Sequence, residues 1–170
     1  MIRPETVLDS WRTVRQDTAQ SVEDFPAAEM GFKPLAELMS FGEIAHHILV
    51  SSYGITGMLL DGVDNLATPQ FRETLMKYAA ALPGPQDAPG LARALRETLE
   101  QRIAQIAAQP AEFLSYVITR FDGQRVTRLE MLQMAKEHEL THRAHLFLCL
   151  RMKGLVPATT RRRMAKPPGR

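Results

Sequence analysis

Four long stretches of this chain carry apolar residues three and four positions apart, a spacing that commits each of them to an amphipathic helix. In the first, Val7, Leu8, Trp11, Val14 and Val22, with Thr18 between them, follow Pro4. The fixed φ of a proline suits a first helical turn, so the pattern predicts a helix over residues 4–22. Pro26, Gly31 and Pro34 interrupt it. Ser40 and Glu43 have the spacing of a capping box and open SFGEIAHHILVSSYGITGMLL, which predicts a second helix over residues 40–61. TPQFRETLMKYAA, from Thr68, reads as a short helix inside a long connection. ALPGPQDAPG then breaks the pattern, and Leu91, Leu95, Leu99, Ile103 and Ile106 mark a third long helix ending before Pro110. Residues 111–126 fit either a short helix or an extended stretch, with a turn at Asp122 and Gly123. Thr127 and Glu130 repeat the capping-box spacing and open a fourth long helix that runs to about Lys153, where Gly154 and Pro157 stop it. Four long helices with one long crossover make an all-α helix bundle.

The length of 170 residues fits one domain, and 45% hydrophobic content can bury a core without staples. We assign residues 1–157 to that domain and read residues 158–170 as a basic, flexible tail. No stretch reaches the run of apolar residues that a spanning helix needs, and the start, MIRPETVLDSW, is charged where a signal peptide would be apolar. The expectation is a soluble, cytoplasmic protein without a membrane partner. The single cysteine, Cys149, cannot form an internal disulfide and reads as a small buried apolar residue. Residues 151–170 hold seven basic side chains and no acid, so the overall charge of +2 leaves about −5 on residues 1–150. An acidic body, and a basic tail with no interleaved aromatic residues, argue against nucleic-acid binding.

Three of the five histidines crowd into EHELTHRAHL, residues 137–146. His138 and His142 are four apart, one above the other on a helix, and share their inward side with Met131, Met134 and Ala135. His145 and Cys149 continue the same line, but His145 lies about 10 Å along the axis from His138, so it reads as a pocket-lining residue rather than a ligand. On the second helix, Phe41, Ile44, Ile48, Ile55 and Leu59 form the apolar stripe. His47 lies at its edge, in line with Ser51, Gly54 and Met58, whereas His46 points to solvent or to a subunit contact. Met58, Met131 and Met134 are core fillers by default, and Glu43, though a turn from His47, has capping as its first duty. Three imidazoles on facing helices would leave coordination positions open to water or substrate, the arrangement of a catalytic rather than a closed structural site.

Four segments resemble the DinB/YfiT-like metalloproteins, grouped with bacillithiol and mycothiol transferases: SFGEIAHHI, FDGQRVTRLEML, HELTHRAHL and LRMKGLVP. The likeness runs nearly the full length. It implies an up-down-down-up bundle in which His47, His138 and His142 hold a divalent ion, commonly zinc or nickel. The family often reads His-Arg-Gly-Gln where this chain has His142, Arg143, Ala144 and His145, so a role for the usual glutamine does not carry over.

Such an ion can make a bound thiol nucleophilic near neutral pH, or lower the pKa of water to about 7 for hydrolysis. The resemblance favours the first, a metal-dependent transferase that joins a low-molecular-weight thiol to small electrophiles. A metal-dependent hydrolase is the second enzymatic choice. The rival class is a metal-binding bundle with a stress-related or regulatory role and no turnover. A small-molecule substrate is the expected partner, and a second copy of the chain is a candidate for a homodimer. The residues themselves name no catalytic acid or base.

Overall fold

A computed structural model describes residues 3–82 and 87–165. Four long helices form the bundle: α1 (Pro4–Asp24), α2 (Phe41–Leu60), α4 (Ala88–Ala107) and α5 (Arg128–Met152). A shorter helix, α3 (Phe71–Ala79), lies in the crossover between α2 and α4. Both expected capping boxes are present. The Ser40 hydroxyl accepts from the Glu43 backbone N–H at 3.2 Å while the Glu43 carboxylate accepts from the Ser40 N–H at 2.6 Å. Thr127 and Glu130 do the same at the start of α5. Each box satisfies donors that a helix N-terminus otherwise leaves without a partner.

Side-chain pairs fix the directions of the helices. Arg12 meets Glu100 while Glu23 meets Arg96, so α1 and α4 run antiparallel. Lys136 reaches Ser10 and Arg143 reaches Asp17, so α1 and α5 are parallel. The bundle is therefore up-down-down-up, with α1 and α2 each packed between α4 and α5. Two parallel neighbours, α2 and α4, need a long crossover, and residues 61–87 provide it.

The core divides into two apolar halves. One gathers Val22, Phe25, Phe41, Leu91, Leu146 and Leu150; the other gathers Trp11, Met58, Leu99, Ile103, Met131 and Leu132. Between them lies a buried polar layer. Glu139 of α5 is 1% exposed and accepts from the Trp11 indole at 2.7 Å, the Thr18 hydroxyl at 2.8 Å and the Arg15 guanidinium at 2.8–3.1 Å. Arg15, 2% exposed, also donates to the Leu95 carbonyl of α4 at 3.0 Å and to the Ser52 hydroxyl of α2 at 2.8 Å. All four helices thus meet at one ion pair.

Residues 111–126 hold turns and a short hairpin rather than a longer helix. After a single 3₁₀ turn at Phe113–Ser115, strands β1 (Val117–Thr119) and β2 (Arg125–Thr127) pair antiparallel, with Gly123 at φ +84° in the connecting turn. Of the basic segment expected as a tail, residues 166–170 lie outside the described residues. Ala158–Ala165 forms helix α6, because Arg161 donates to Asp24 at 2.7 Å and Arg162 pairs with Asp17, tying the segment to α1. No helix among the described residues is long and apolar enough to cross a membrane.

Helix α3 lies close against α2 because α2 carries glycines there. A methyl group built on Gly54 would stand 2.7 Å from the Leu75 side chain and 2.8 Å from its carbonyl oxygen, and one on Gly57 would stand 3.0 Å from the Tyr78 ring. Since the Leu75 obstacle includes backbone, the helix itself must move to relieve it. Gly54→Ala should therefore lower stability by about 1–3 kcal/mol through overpacking, against the gain of about 1 kcal/mol that alanine brings to a helix interior. A melting temperature equal to or above that of the parent would refute this account of the contact.

Candidate metal centre

The structure brings His47 of α2 together with His138 and His142 of α5. One ring nitrogen from each lies within 4.8 Å of the others. His47 Nε2 and His138 Nε2 are 3.0 Å apart. Two nitrogens held about 2.0–2.1 Å from one tetrahedral ion would be roughly 3.3 Å apart, so the spacing fits a shared cation. Two unprotonated nitrogens at this distance would repel, so either one donates its hydrogen to the other or both turn lone pairs toward the same ion. The ring of His142 completes the set, with its centroid 4.7 Å from that of His47 and 4.5 Å from that of His138. His142 Nδ1 is buried and has no hydrogen-bond partner among the described residues, which is the state of a nitrogen suited to a ligand.

The electrostatics keep these imidazoles neutral. Burial first, and then the neighbouring rings of His138, His47 and His145, push His142 down to about 4. His47 is lowered by burial, then by His138, His46 and Arg72. Burial lowers His138 as well, with Glu139 opposing it. A neutral imidazole offers the lone pair that a divalent ion takes, so protons compete weakly for the site near pH 7.

The remaining histidines part company with the triad. His46 is exposed, on the outer side of α2. The ring of His145 stands 5.8 Å from that of His142, is exposed, and lines with His142, Leu38, Met39 and Leu148 a small pocket of about 150 Å³ on the other side of the triad from the larger cleft's lining. Cys149 is buried in the core, and burial pushes its thiol up, so it is no ready nucleophile. Met58 and Met131 are fully buried core residues. Glu43 is exposed and occupied with its cap and with Lys33.

A larger cleft of about 450 Å³ opens on the triad, and His47 and His138 form part of its lining. Ser51, one turn along α2 from His47, is also in that wall, its hydroxyl 3.4–3.5 Å from the His47 ring nitrogens. Phe71, Leu75 and Phe121 join the wall from outside the four long helices. Sequence reading missed these three because they belong to connections, whose position over the bundle no helical spacing records. It also missed the Arg15–Glu139 layer, although a signal was there. Leu8, Trp11, Arg15, Thr18 and Val22 form one unbroken inward stripe, so Arg15 is a charge at a core position.

Comparison with known proteins agrees with this architecture. The DinB-like protein YjoA from Bacillus subtilis superposes with a TM-score of 0.67 at 24% identity, covering 88% of this chain and 92% of its own. YfiT from Bacillus subtilis, described as a probable metal-dependent hydrolase with an unusual four-helix bundle topology, gives 0.67 at 16% identity over 91% of each chain. A mycothiol-dependent maleylpyruvate isomerase gives 0.64 at 13% identity, covering 85% of this chain and 61% of its own. At these identities the likeness is one of fold. Among curated proteins, no sequence matches. The sequence model of the DinB family, however, matches residues 1–168, nearly the whole chain, and on that match the protein belongs to the DinB family.

Proposed function

We propose that the protein is a metal-dependent thiol S-transferase, with His47, His138 and His142 holding a divalent ion, zinc or nickel by the family likeness. The observation that carries this reading is a set of three neutral imidazoles on two facing helices, two of which, His47 and His138, line an open cleft, with no fourth protein ligand among the described residues. A divalent ion there supplies Lewis acidity, lowering the pKa of a thiol or water brought against it. The protein's own part is to position and to exclude. The triad holds its three nitrogens on a rigid pair of helices, and the apolar walls of the cleft keep bulk water from the reacting atoms. In the reaction, a sulfur–carbon bond forms, the bond from that carbon to the leaving group breaks, and the thiol's proton departs with the displaced anion.

The description of YfiT as a probable metal-dependent hydrolase supports a second reading, in which water takes the place of the thiol. One experiment separates the two. Cobalt-loaded protein should develop a sulfur-to-metal charge-transfer band on addition of the right thiol, tested among bacillithiol, mycothiol, glutathione and coenzyme A. Transfer to a model electrophile should follow metal content and vanish in His142→Ala. Ester or amide hydrolysis that depends on the metal, with a cobalt spectrum no thiol perturbs, would replace the transferase by the hydrolase. No turnover of either kind would leave a non-catalytic metal-binding bundle.

A further inference from the structure

The cleft beside the triad is apolar along most of its length and has a direction. Ser51 and Ile55 lie one and two turns beyond His47 on α2, and Met134 lies one turn before His138 on the antiparallel α5. Moving away from the imidazoles, the lining therefore passes from Ser51 to Ile55 and Met134 over about 12 Å, the rise of eight helical residues. Two phenylalanines from separate connections add an aromatic wall. The rings of Phe71 and Phe121 sit 5.5 Å apart at 39°, and Phe121 remains 46% exposed. An aromatic side chain left this open over a cavity gains by being covered with another apolar surface.

The charges around the cleft select among ligands. Its charged side chain is Glu137, and among the described residues neither lysine nor arginine lines it, Arg72 acting on His47 from outside the lining. An anionic group placed along the cleft, away from the triad's ion, would meet apolar walls, with Glu137 as the lining charge and no lining cation to pair with. A volume of about 450 Å³ is that of a small-molecule site.

We propose that this cleft is the seat of a neutral, apolar, aromatic acceptor. One face of its ring system lies on Phe71 and Phe121 and its reactive end is turned toward His47 and His138, so that the thiol reaches the triad by its sulfur without lodging its polar body in the cleft. The proposal rests on the transferase reading for the role of the ligand, and on the cleft alone for its chemical class.

Two neutral hydroxamic acids test it, each able to grip the ion through the same group. On cobalt-loaded protein, 2-naphthohydroxamic acid should bind about 100-fold more tightly than acetohydroxamic acid, from the apolar area that the naphthyl ring buries. Phe121→Ala removes an exposed side chain and should fold normally, yet it should weaken the naphthyl ligand about 10-fold and leave the acetyl one unchanged. Equal affinities of the two ligands, or no effect of Phe121→Ala on either, would overturn the proposal. A titration of metal-free protein with the neutral fluorophore prodan separates this failure from failure of the metal reading. Prodan bound by the parent and weakened in Phe121→Ala, in a protein that takes up no cobalt, supports the apolar cleft and refutes the metal centre. Cobalt taken up normally with prodan unbound refutes the cleft and spares the metal.

Discussion

Glu139→Ala should lower the stability of the protein by about 3–5 kcal/mol, a fifth or more of the roughly 5–15 kcal/mol that a domain commonly has. The carboxylate is 1% exposed, and it is the acceptor for Trp11, Arg15 and Thr18 together. Removing it strands the Arg15 guanidinium, itself 2% exposed, between two apolar halves of the core with its charge uncompensated. The cost comes from the orphaned charge more than from the lost attraction, and this can be tested directly. Arg15→Met combined with Glu139→Leu removes both charges and should recover much of the loss, so the two changes are strongly non-additive. Urea unfolding of the parent, the two single variants and the double variant provides the comparison. A Glu139→Ala protein within about 1 kcal/mol of the parent would show that the layer carries little energy.

The other large effect concerns metal content. Protein purified without a nickel column should carry about one divalent ion per chain, as one three-imidazole site can hold one. His47→Ala, His138→Ala and His142→Ala should each remove most of it. Deleting a ligand should exceed the roughly 10–100-fold loss that follows from removing an outer hydrogen-bond partner. His46→Ala should leave the content unchanged, since that ring faces away from the triad. Chelation should lower the melting temperature without abolishing helical circular dichroism, because both apolar halves of the core form without the imidazoles. Full occupancy in the His138→Ala, His142→Ala double variant, measured by elemental analysis, would eliminate the site.

The parts of this architecture written in the sequence are those governed by local periodicity. Helices α1, α2, α4 and α5 were legible because their inward residues recur at helical spacing over many turns, and two of them begin with capping pairs only three residues apart. The pairing of His138 with His142 was legible for the same reason. The partnership of His47 with them spans 91 residues, and the sequence offered it through an edge position on α2 together with the family likeness. Strands of three residues, Val117–Thr119 and Arg125–Thr127, are too short to show alternation, so the hairpin could not be told from a helix. The contacts that hold α6 join Arg161 and Arg162 to acids 137 and 145 positions away, and a run of basic residues carries no mark of that distance.

The division of labour between helices and connections has an evolutionary consequence. Every imidazole of the triad stands on a long helix of the bundle, whereas Phe71, Leu75 and Phe121 stand on segments that merely link those helices. Connections accept insertion and substitution far more readily than core helices do. A lineage could therefore remodel the crossover and the hairpin, and with them the molecules the cleft admits, while the three nitrogens keep their spacing. Gly54 and Gly57 set the boundary of that freedom, because a replacement for α3 must still lie against the bare backbone of α2 to reach the cleft at all.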